Sequence, residues 1–503
     1  ILCVLGVFAV NQLPTKLYSA DAVARLDRIA INDYGIPGYT LMRRAGRAVF
    51  DVLKENYPHA SSVLVLCGAG NNAGDGYVIA RLAHGNGFNV RVVSMIDPEK
   101  LRGDARLAWQ HWQECGETSR YHGAMMISAD VVIDALLGTG LARDVEGDWK
   151  QLINKVNRSE VAVISVDIPS GLNADTGVVS GAAIRADHTV SFIGLKKGMF
   201  TASGKACSGE VLFEDLGVPA KVFDSVSVEA ELLSQPSQWR LAPRRHDTHK
   251  GQTGHVLIIG GNLGMPGSVA LAARAAFRSG AGLVSVVTRP EHIGAVVTVC
   301  PECMVHASVN GEIRSDLLDR ADFIAIGCGL GQDAWAERLM HSAMNSAYPL
   351  VVDADALNIL AKKRPAGLTQ KSVITPHPGE AARLLKRPTS EIQQDRFRAA
   401  RQLGREYNAQ VVLKGSGTIV QRGDDTFVCA LGNPAMATAG MGDVLTGVIA
   451  SLSAQQTVTG RDLCEAVVGA VCLHARAGDL ASLGDDRGLM ATDVIEHLRD
   501  AAR

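Results

Sequence analysis

The chain has 503 residues, 47% hydrophobic and 20% charged, with 50 Lys and Arg against 52 Asp and Glu and a formal net charge of −2. That length exceeds one hydrophobic core and implies two or three domains, and the near-neutral balance excludes a nucleic-acid binder, which would carry a basic excess. The ten cysteines show no disulfide-like rhythm, which points to a reducing compartment, and the 52 glycines suit a chain with many tight strand-to-helix turns.

The opening run Ile1 to Val10 is apolar. No basic residues precede it, no clear small-residue cleavage site follows, and about ten residues are too few to span a bilayer. The expectation is a cytoplasmic protein without a membrane partner, with a fragment of a secretory signal as the lesser alternative.

Strand-like runs then alternate with helical stretches: Ser62–Cys67, Val90–Met95, Val131–Asp134, Val161–Asp167 and Thr189–Ile193. The second half repeats the style with Val256–Ile259, Leu283–Val287, Phe323–Ile326, Leu350–Asp353, Ser372–Thr375 and Val411–Leu413. Apolar runs ending in small or polar residues before a helix predict parallel sheets covered on both faces, with ligands at the carboxyl ends of the strands. Pro219, Pro236 and Pro243 punctuate a polar stretch between the halves, which places a boundary near 225–240.

In the first half, the strand Val63 to Cys67 runs into a glycine turn, Gly68 to Gly76, followed by a helix over Tyr77–Ala83. With Asp97 about twenty residues on, this has the outline of a dinucleotide-binding turn. Asn71, Asn72 and Asp75 add polar side chains that such a turn does not need. They can hydrogen-bond a ligand, hold a cation, or simply make the turn. Asp134 and Asp167 both end apolar strands, so both are expected to reach the ligand crevice. There an apolar setting raises a carboxylate's pKa and suits it to acid–base work. Asp134 with Asn72 and Ser170 can instead enclose a monovalent cation, and Asp167 can simply cap the turn before Pro169.

In the second half, Cys300-Pro301-Glu302-Cys303 has no second pair at zinc spacing and no thioredoxin-like surroundings, and reads as coincidence. Asp353 and Asp355 follow one strand and can help hold magnesium or a ribose hydroxyl, or act only as caps or as supports for the residues that do. His377, between two prolines after another strand, either reaches the ligand edge or packs in a rigid turn. Val411 to Leu413 leads into Lys414-Gly415-Ser416-Gly417-Thr418, whose N–H groups and hydroxyls suit phosphate oxygens. Some thirty residues later, Ala439-Gly440-Met441-Gly442-Asp443 precedes an apolar stretch, the outline of a helix N-terminus facing an anion with a carboxylate placed as a base. No Walker A pattern occurs, so this is not a P-loop enzyme.

GAGNNAGDG, DALLGTGL and VDIPSGL resemble the signatures of the NAD(P)H-hydrate epimerase domain. KGQTGHVLIIGGN, GCGLGQD, VVDADALN, TPHPGE, KGSGT and AGMGD resemble those of the ribokinase-like NAD(P)H-hydrate dehydratase domain. Their order is similar to that of the bacterial bifunctional nicotinamide-nucleotide repair enzymes, and the resemblance covers nearly everything from Leu17 onward. It implies two α/β domains: an N-terminal Rossmann-like three-layer α/β/α epimerase domain over 15–225, and a C-terminal ribokinase-like α/β/α dehydratase domain over 235–503. The implied activity is repair of hydrated NADH and NADPH. R and S hydrates are interconverted, and the S hydrate is dehydrated with ADP (ATP in eukaryotic relatives), giving AMP and phosphate.

The resemblance further implies that Asn71, Asn72, Ala73, Gly74 and Asp75, with Gly138, Thr139, Gly140, Leu141, Ala142, Arg143 and Asp144, line the epimerase site. Asp167 would contact the hydrate as acid–base, and Asn72, Asp134 and Ser170 would hold potassium. In the dehydratase domain Ala270, Gly329, His377 and Asp443 would contact the hydrate. Lys414, Gly415, Ser416, Gly417, Thr418 and Gly442 would hold the nucleotide with its magnesium, and Asp443 would be the catalytic base. Many relatives have Thr where Met441 stands and Gly where Ala73 stands; only the Met441 N–H is needed, whereas Ala73 narrows the first site slightly. The implied partners are the small molecules NAD(P)HX and ADP, with a homo-oligomer expected. Two other readings stand beside this one: a vitamin or sugar-alcohol kinase in the C-terminal half, and a nucleotide-binding or sensing module in the N-terminal half.

Overall fold

The computed structural model describes residues 13–503 apart from 142, 239, 240, 242, 365, 366 and 461. The apolar run Ile1 to Val10, and the signal alternative with it, lies outside the described residues. The chain separates into two compact units between Leu232 and Leu233, inside the proline-punctuated stretch.

The strands of the first unit are β1 (Lys16–Tyr18), β2 (Ser62–Cys67), β3 (Asn89–Ser94), β4 (Thr118–Arg120), β5 (Val131–Ala135), β6 (Ala162–Val166), β7 (His188–Phe192), β8 (Leu195–Lys196), β9 (Glu210–Glu214) and β10 (Ala230–Leu233). Seven of them form one sheet in the order β4-β3-β2-β5-β6-β7-β9, with parallel pairing throughout. Alternate residues of β2 serve opposite faces. Val63, Val65 and Cys67 pack into a cluster with Leu41, Val49 and Tyr77, whereas Leu64 and Leu66 pack with Leu152, Ile153 and Val156. Burial on both faces is why β2 and β5 read as unbroken apolar runs.

The strand order reverses between β2 and β5, and a ligand crevice opens at such a switch point. The two strand ends are drawn together there: the Gly68 N–H donates to Ala135 O at 3.0 Å. A Cβ at Gly68 would lie 1.6 Å from Leu136 O.

The helix after β2 spans Asn71–Gly85, six residues longer at its start than the sequence suggests. The run Asn71 to Gly76 is its first turns rather than a loop. Its glycines serve packing: a Cβ at Gly76 would sit 2.7 Å from the Ala135 side chain, and one at Gly74 2.6 Å from Met42. Glycine read as turn chemistry is here close packing, of a helix on the sheet at Gly76 and on neighbouring helices at Gly74.

The second unit holds β11 (His255–Ile259), β12 (Leu283–Thr288), β13 (Met304–Ala307), β14 (Phe323–Ile326), β15 (Leu350–Val352), β16 (Val373–Ile374), β17 (Gln410–Leu413), β18 (Thr418–Arg422) and β19 (Asp425–Cys429). Their order is β13-β12-β11-β14-β15-β16-β17-β18-β19. Pairing is parallel as far as β17 and antiparallel beyond it. The short hairpin pair β18 and β19 has no counterpart among the expected elements. Neither has β13, nor have β1, β4, β8, β9 and β10 of the first unit; the strands that were expected lie within a residue or two of their observed limits, the ordinary latitude of element ends. The helices Pro266–Arg278, Met441–Thr459, Leu463–Ser482 and Ala491–Ala501 contribute to one apolar core with the sheet.

The close approach at Gly68 yields a test. Gly68→Ala should destabilise the first unit by about 3 kcal/mol, the upper end for overpacking. Denaturant unfolding should then show an early transition absent from the parent protein.

Candidate functional site

At the β2/β5 switch point the first unit carries a cavity of about 810 Å³. Asn71, Asn72, Asp75, Gly138, Thr139, Gly140, Leu141, Arg143 and Asp167 all line it. Ala73 and Gly74 are buried in the helix behind, Asp144 is exposed, and Ala142 lies outside the described residues.

Asp134 does not reach this crevice as its strand-end position suggests. It is 0% exposed. Its carboxylate accepts hydrogen bonds from Ser170 Oγ at 2.6 Å, the Ser170 N–H at 2.9 Å, Ser165 Oγ at 2.8 Å and the Leu136 N–H at 3.3 Å. Ser170 Oγ in turn receives the Leu137 N–H at 2.8 Å. Burial pushes the Asp134 pKa up, against these donors. The group ties β5, β6 and the following loops together beneath the site. In the cavity wall next to Gly138, Asn72 Nδ2 is buried with no partner.

Asp167 occupies the left-handed region at φ 67°, an uncommon setting for a residue with a side chain. Its backbone N–H donates to Val190 O at 2.8 Å, and its Oδ1 accepts the Phe192 N–H at 3.1 Å and an ion-paired hydrogen bond from Lys196 Nζ. Lys196 is fully buried and also bonds Ser191 Oγ at 3.1 Å. Ile193, another cavity residue, is likewise left-handed at φ 61°. Strain of this kind gathers at functional sites.

Two more carboxylates join them. Burial, then repulsion from Asp167, raises the Asp27 pKa to about 6, with Lys196 opposing. Burial, then Asp167 and Asp27, raises Asp75 well above the carboxylate range. The sequence reading missed Lys196 and Asp27. A lysine directly after an apolar strand was a usable signal for the first. Asp27 sits on an amphipathic helix, Ala20–Asn32, and carried none.

In the second unit Asp353 ends β15 and is 1% exposed. Its Oδ1 accepts Lys414 Nζ and Thr375 Oγ1, each at 2.7 Å, and its Oδ2 accepts Thr446 Oγ1 at 2.9 Å. Of the roles open to it in the sequence, the geometry gives it a supporting one: it anchors Lys414. Burial disfavours the Lys414 ammonium, but Asp353 and Glu380 outweigh it and hold its pKa up. The Lys414 N–H donates to Pro376 O at 2.9 Å, fixing the ends of β16 and β17 side by side.

The loop Gly415 to Gly417 joins two antiparallel strands. Beneath it lies Arg396, 1% exposed, whose Nη2 donates to Leu413 O at 3.1 Å, Lys414 O at 3.3 Å and Gly417 O at 3.4 Å. Burial pulls its pKa down to about 10. The guanidinium gathers the carbonyls inward, while Gly415 and Ser416 stay exposed. Arg396 was not singled out from the sequence; an arginine eighteen residues upstream of Lys414 gives no local sign of its position.

Helix Met441–Thr459 begins after Gly440, which sits at φ 86°. A Cβ at Gly440 would lie 2.8 Å from Leu271 and 3.0 Å from Ala491. Asp443 stands in the first turn. Burial, then Asp353, raises its pKa to about 6, and hydrogen bonds with Cys328 and Ser268 together with Lys414 pull against that rise. A Cβ on Gly442 would be 3.4 Å from Asp353 Oδ2 and 3.5 Å from Lys414 Nζ, so all three elements meet. Cys328 and Ser268 went unnoticed in the sequence.

Gly329, at φ 54°, packs against Met265 and Ser268. Ala270 is 4% exposed on the helix that carries Ser268. His377 caps the helix Pro378–Leu385: its Nδ1 accepts the Gly379 N–H at 3.0 Å, and its own N–H donates to Glu380 Oε2 at 2.8 Å. Its ring is half-exposed. Burial, then Lys414 and Arg383, pulls its pKa below the ordinary imidazole value. Asp355 accepts the Gly331 N–H at 2.9 Å, a turn-capping role.

A bifunctional NAD(P)H-hydrate repair enzyme Nnr from Coxiella burnetii is 41% identical over 489 residues, covering 96% of this chain and 99% of that protein. The chain belongs to this family. The Vibrio cholerae member is 42% identical over 496 residues, covering 98% and 99% respectively. A family model described as NAD(P)H-hydrate dehydratase matches residues 256–500, and one described as YjeF-related protein N-terminus matches 38–198. Among solved structures, a ribokinase-like superfamily protein from Enterococcus faecalis V583 superposes with TM-score 0.50 at 29% identity, over 54% of this chain and 94% of that one. In this repair-family chain the two signature sets thus fall on separate units, and the second unit has the ribokinase-like fold.

The raised Asp27 pKa makes a stability prediction. Between the ordinary value of 3.8 and about 6, the folded state holds a proton that the unfolded chain has released. Stability therefore falls as pH rises through that window. Asp27→Asn should raise stability at pH 8 by about 1–2 kcal/mol, discounted for partial exposure. The gain should vanish below about pH 4 when thermal melts of both proteins are compared.

Proposed function

We propose that the chain repairs hydrated NADH and NADPH. Its first unit interconverts the R and S hydrates at the Asp167 crevice, and its second dehydrates the S hydrate with ADP at Asp443. The observation that carries the reading is Asp443, a carboxylate with its pKa raised to about 6 in the first turn of a helix, beside the Lys414–Asp353 pair.

In the second unit, Asp443 takes the proton of the hydrate's hydroxyl as that oxygen attacks the terminal phosphorus of ADP, and the bond to the AMP oxygen breaks. Lys414, the Gly415–Thr418 loop and the amides from Ala439 to Gly442 hold the phosphates and the charge that develops on them. The new phosphate ester then leaves the ring carbon, and a neighbouring carbon gives up a proton to restore the dihydronicotinamide double bond. The products are NAD(P)H, AMP and phosphate. Ala270, Gly329 and His377 are proposed on the hydrate side, with the Ser268 hydroxyl and the Cys328 thiol steadying Asp443.

In the first unit, Asp167 exchanges a proton with the hydrate while the configuration inverts. Lys196 keeps that carboxylate aligned. Asn72, Asp134 and Ser170 are proposed to hold potassium. The unpartnered buried Asn72 amide fits such an ion, because exchanging its oxygen and nitrogen turns an orphaned donor into a cation ligand. When bound, the ion supplies fixed positive charge to the crevice. Among the described residues no group of three His, Cys, Asp or Glu is placed for a metal, so magnesium is proposed to arrive with the nucleotide phosphates. Among the described residues no helix is long and apolar enough to cross a membrane. We place the protein in the cytoplasm as a homo-oligomer.

The test mixes purified protein with R and S hydrates, ADP and magnesium, and follows the return of dihydronicotinamide absorbance. Asp443→Asn should lower dehydration by about 10²–10⁴-fold, the range for a lost general base, with epimerisation intact. Asp167→Ala should do the reverse. A phosphorylated alcohol that accumulates in place of NAD(P)H would overturn the dehydratase reading.

A pH profile adds a second check. Dehydratase kcat should fall as pH drops through about 6, where Asp443 takes up a proton. Cys328→Ala, which removes a hydrogen bond that lowers that pKa, should move the fall to higher pH. An unmoved limb would show that the thiol does not tune the base.

A further inference from the structure

The CxxC that looks accidental in the sequence has a defined geometry. Cys300 is the C-terminal cap of the helix Ile293–Val299, its N–H donating to Val296 O at 2.8 Å. The Cys303 N–H returns to Cys300 O at 3.1 Å in a tight turn that leads directly into β13. This turn brings the sulfurs together: Cys303 Sγ donates to Cys300 Sγ at 2.8 Å. That separation is about 0.8 Å longer than a disulfide bond. Cys300 and Cys303 are 1% and 8% exposed. Among the described residues no cluster of three metal-ligating side chains stands together, so the pair lacks a metal's donor set.

We propose that Cys300 and Cys303 form a dithiol site that a low-molecular-weight disulfide converts to an intramolecular disulfide. The Cys300 thiolate attacks one sulfur of the small disulfide, forming a mixed disulfide and expelling one small thiolate. Cys303 loses its proton and attacks Cys300 Sγ, expelling the second. One protein dithiol is oxidised and one small disulfide is reduced to two thiols.

Cys300 is the nucleophile of the pair. The hydrogen bond from Cys303 lowers its pKa, and Arg274 assists against burial and Glu302. The same bond, with burial, holds Cys303 protonated as the resolving thiol. Access comes from the helix itself. Ile293–Val299 is seven residues long, with only Val296 among them buried, and Val299, Pro301, Glu302 and Met304 are exposed. A short element with so little buried surface opens locally at low cost. Cys429 and Cys472, the other touching pair among the described residues, sit in the strand Asp425–Cys429 and inside the 20-residue helix Leu463–Ser482, elements without such freedom to open.

The test incubates the folded, full-length chain with oxidised glutathione, blocks remaining thiols with iodoacetamide, and maps the digest by mass spectrometry. The peptide holding both residues should lose all iodoacetamide labelling and be lighter than the dithiol form by two hydrogen atoms. Reduction should restore both labels, and oxidation should raise the Tm. Cys303→Ser should trap glutathione on Cys300, and Cys300→Ser should leave Cys303 free. The proposal is overturned if both thiols stay open to alkylation in excess oxidised glutathione, if the bond forms only after denaturation, or if Cys429 and Cys472 are linked instead. Because neither residue touches Asp443, Lys414 or Asp353, NAD(P)H-hydrate turnover is not a readout, and failure of this test leaves the proposed function standing.

Discussion

Both units face the same constraint: carboxylates are set where parallel strands end, in surroundings too apolar to keep all of them ionised. The solutions are alike. In the second unit Asp353 is matched by Lys414 at 2.7 Å, and the unmatched Asp443 is pushed towards neutrality. In the first, Asp167 is matched by the buried Lys196, while Asp27 and Asp75 are pushed the same way. A lysine that neutralises one acid leaves its neighbour poised to gain or lose a proton near physiological pH. Two carboxylates held apart in pKa by their surroundings are a recurrent arrangement for acid–base chemistry.

Around the most deeply buried carboxylates stands a shell of neutral donors. Thr375 and Thr446 finish the Asp353 carboxylate, and Ser165 and Ser170 finish Asp134. Arg396 does comparable work for a loop, drawing three carbonyls towards the interior. Such shells cost little when complete and much when broken, because a buried polar atom without a partner forfeits its hydration. Asn72 Nδ2 is one of the buried polar atoms left without a partner, and it belongs to a residue that lines the cavity.

The parallel sheets were legible in the sequence because doubly buried strands are written as apolar runs punctuated by small and polar residues. The crevices followed from the residues at those strand ends. What was not legible has physical causes. Gly74 and Gly76 look like turn glycines, yet they are small because a helix lies against Met42 and Ala135; close packing and tight turning ask for the same residue. Asp134 and Asp167 look equivalent at two strand ends. Only the neighbouring hydroxyls and the ammonium, supplied from elsewhere in the chain, decide which is sealed and which faces the cavity. Lys196, Asp27, Arg396 and Cys328 act through distant partners, and no local pattern marks them.

The left-handed backbone at Asp167 has a consequence of its own. At that φ the main chain sets where the Cβ points, and the Phe192 N–H and Lys196 hold the carboxylate from there. Glycine or asparagine would sit there with less conformational penalty. Substituting glycine would ease this stretch of backbone and in the same stroke strip the buried Lys196 ammonium of its counter-charge, so comfort of the main chain and burial of a cation cannot both be satisfied at this position.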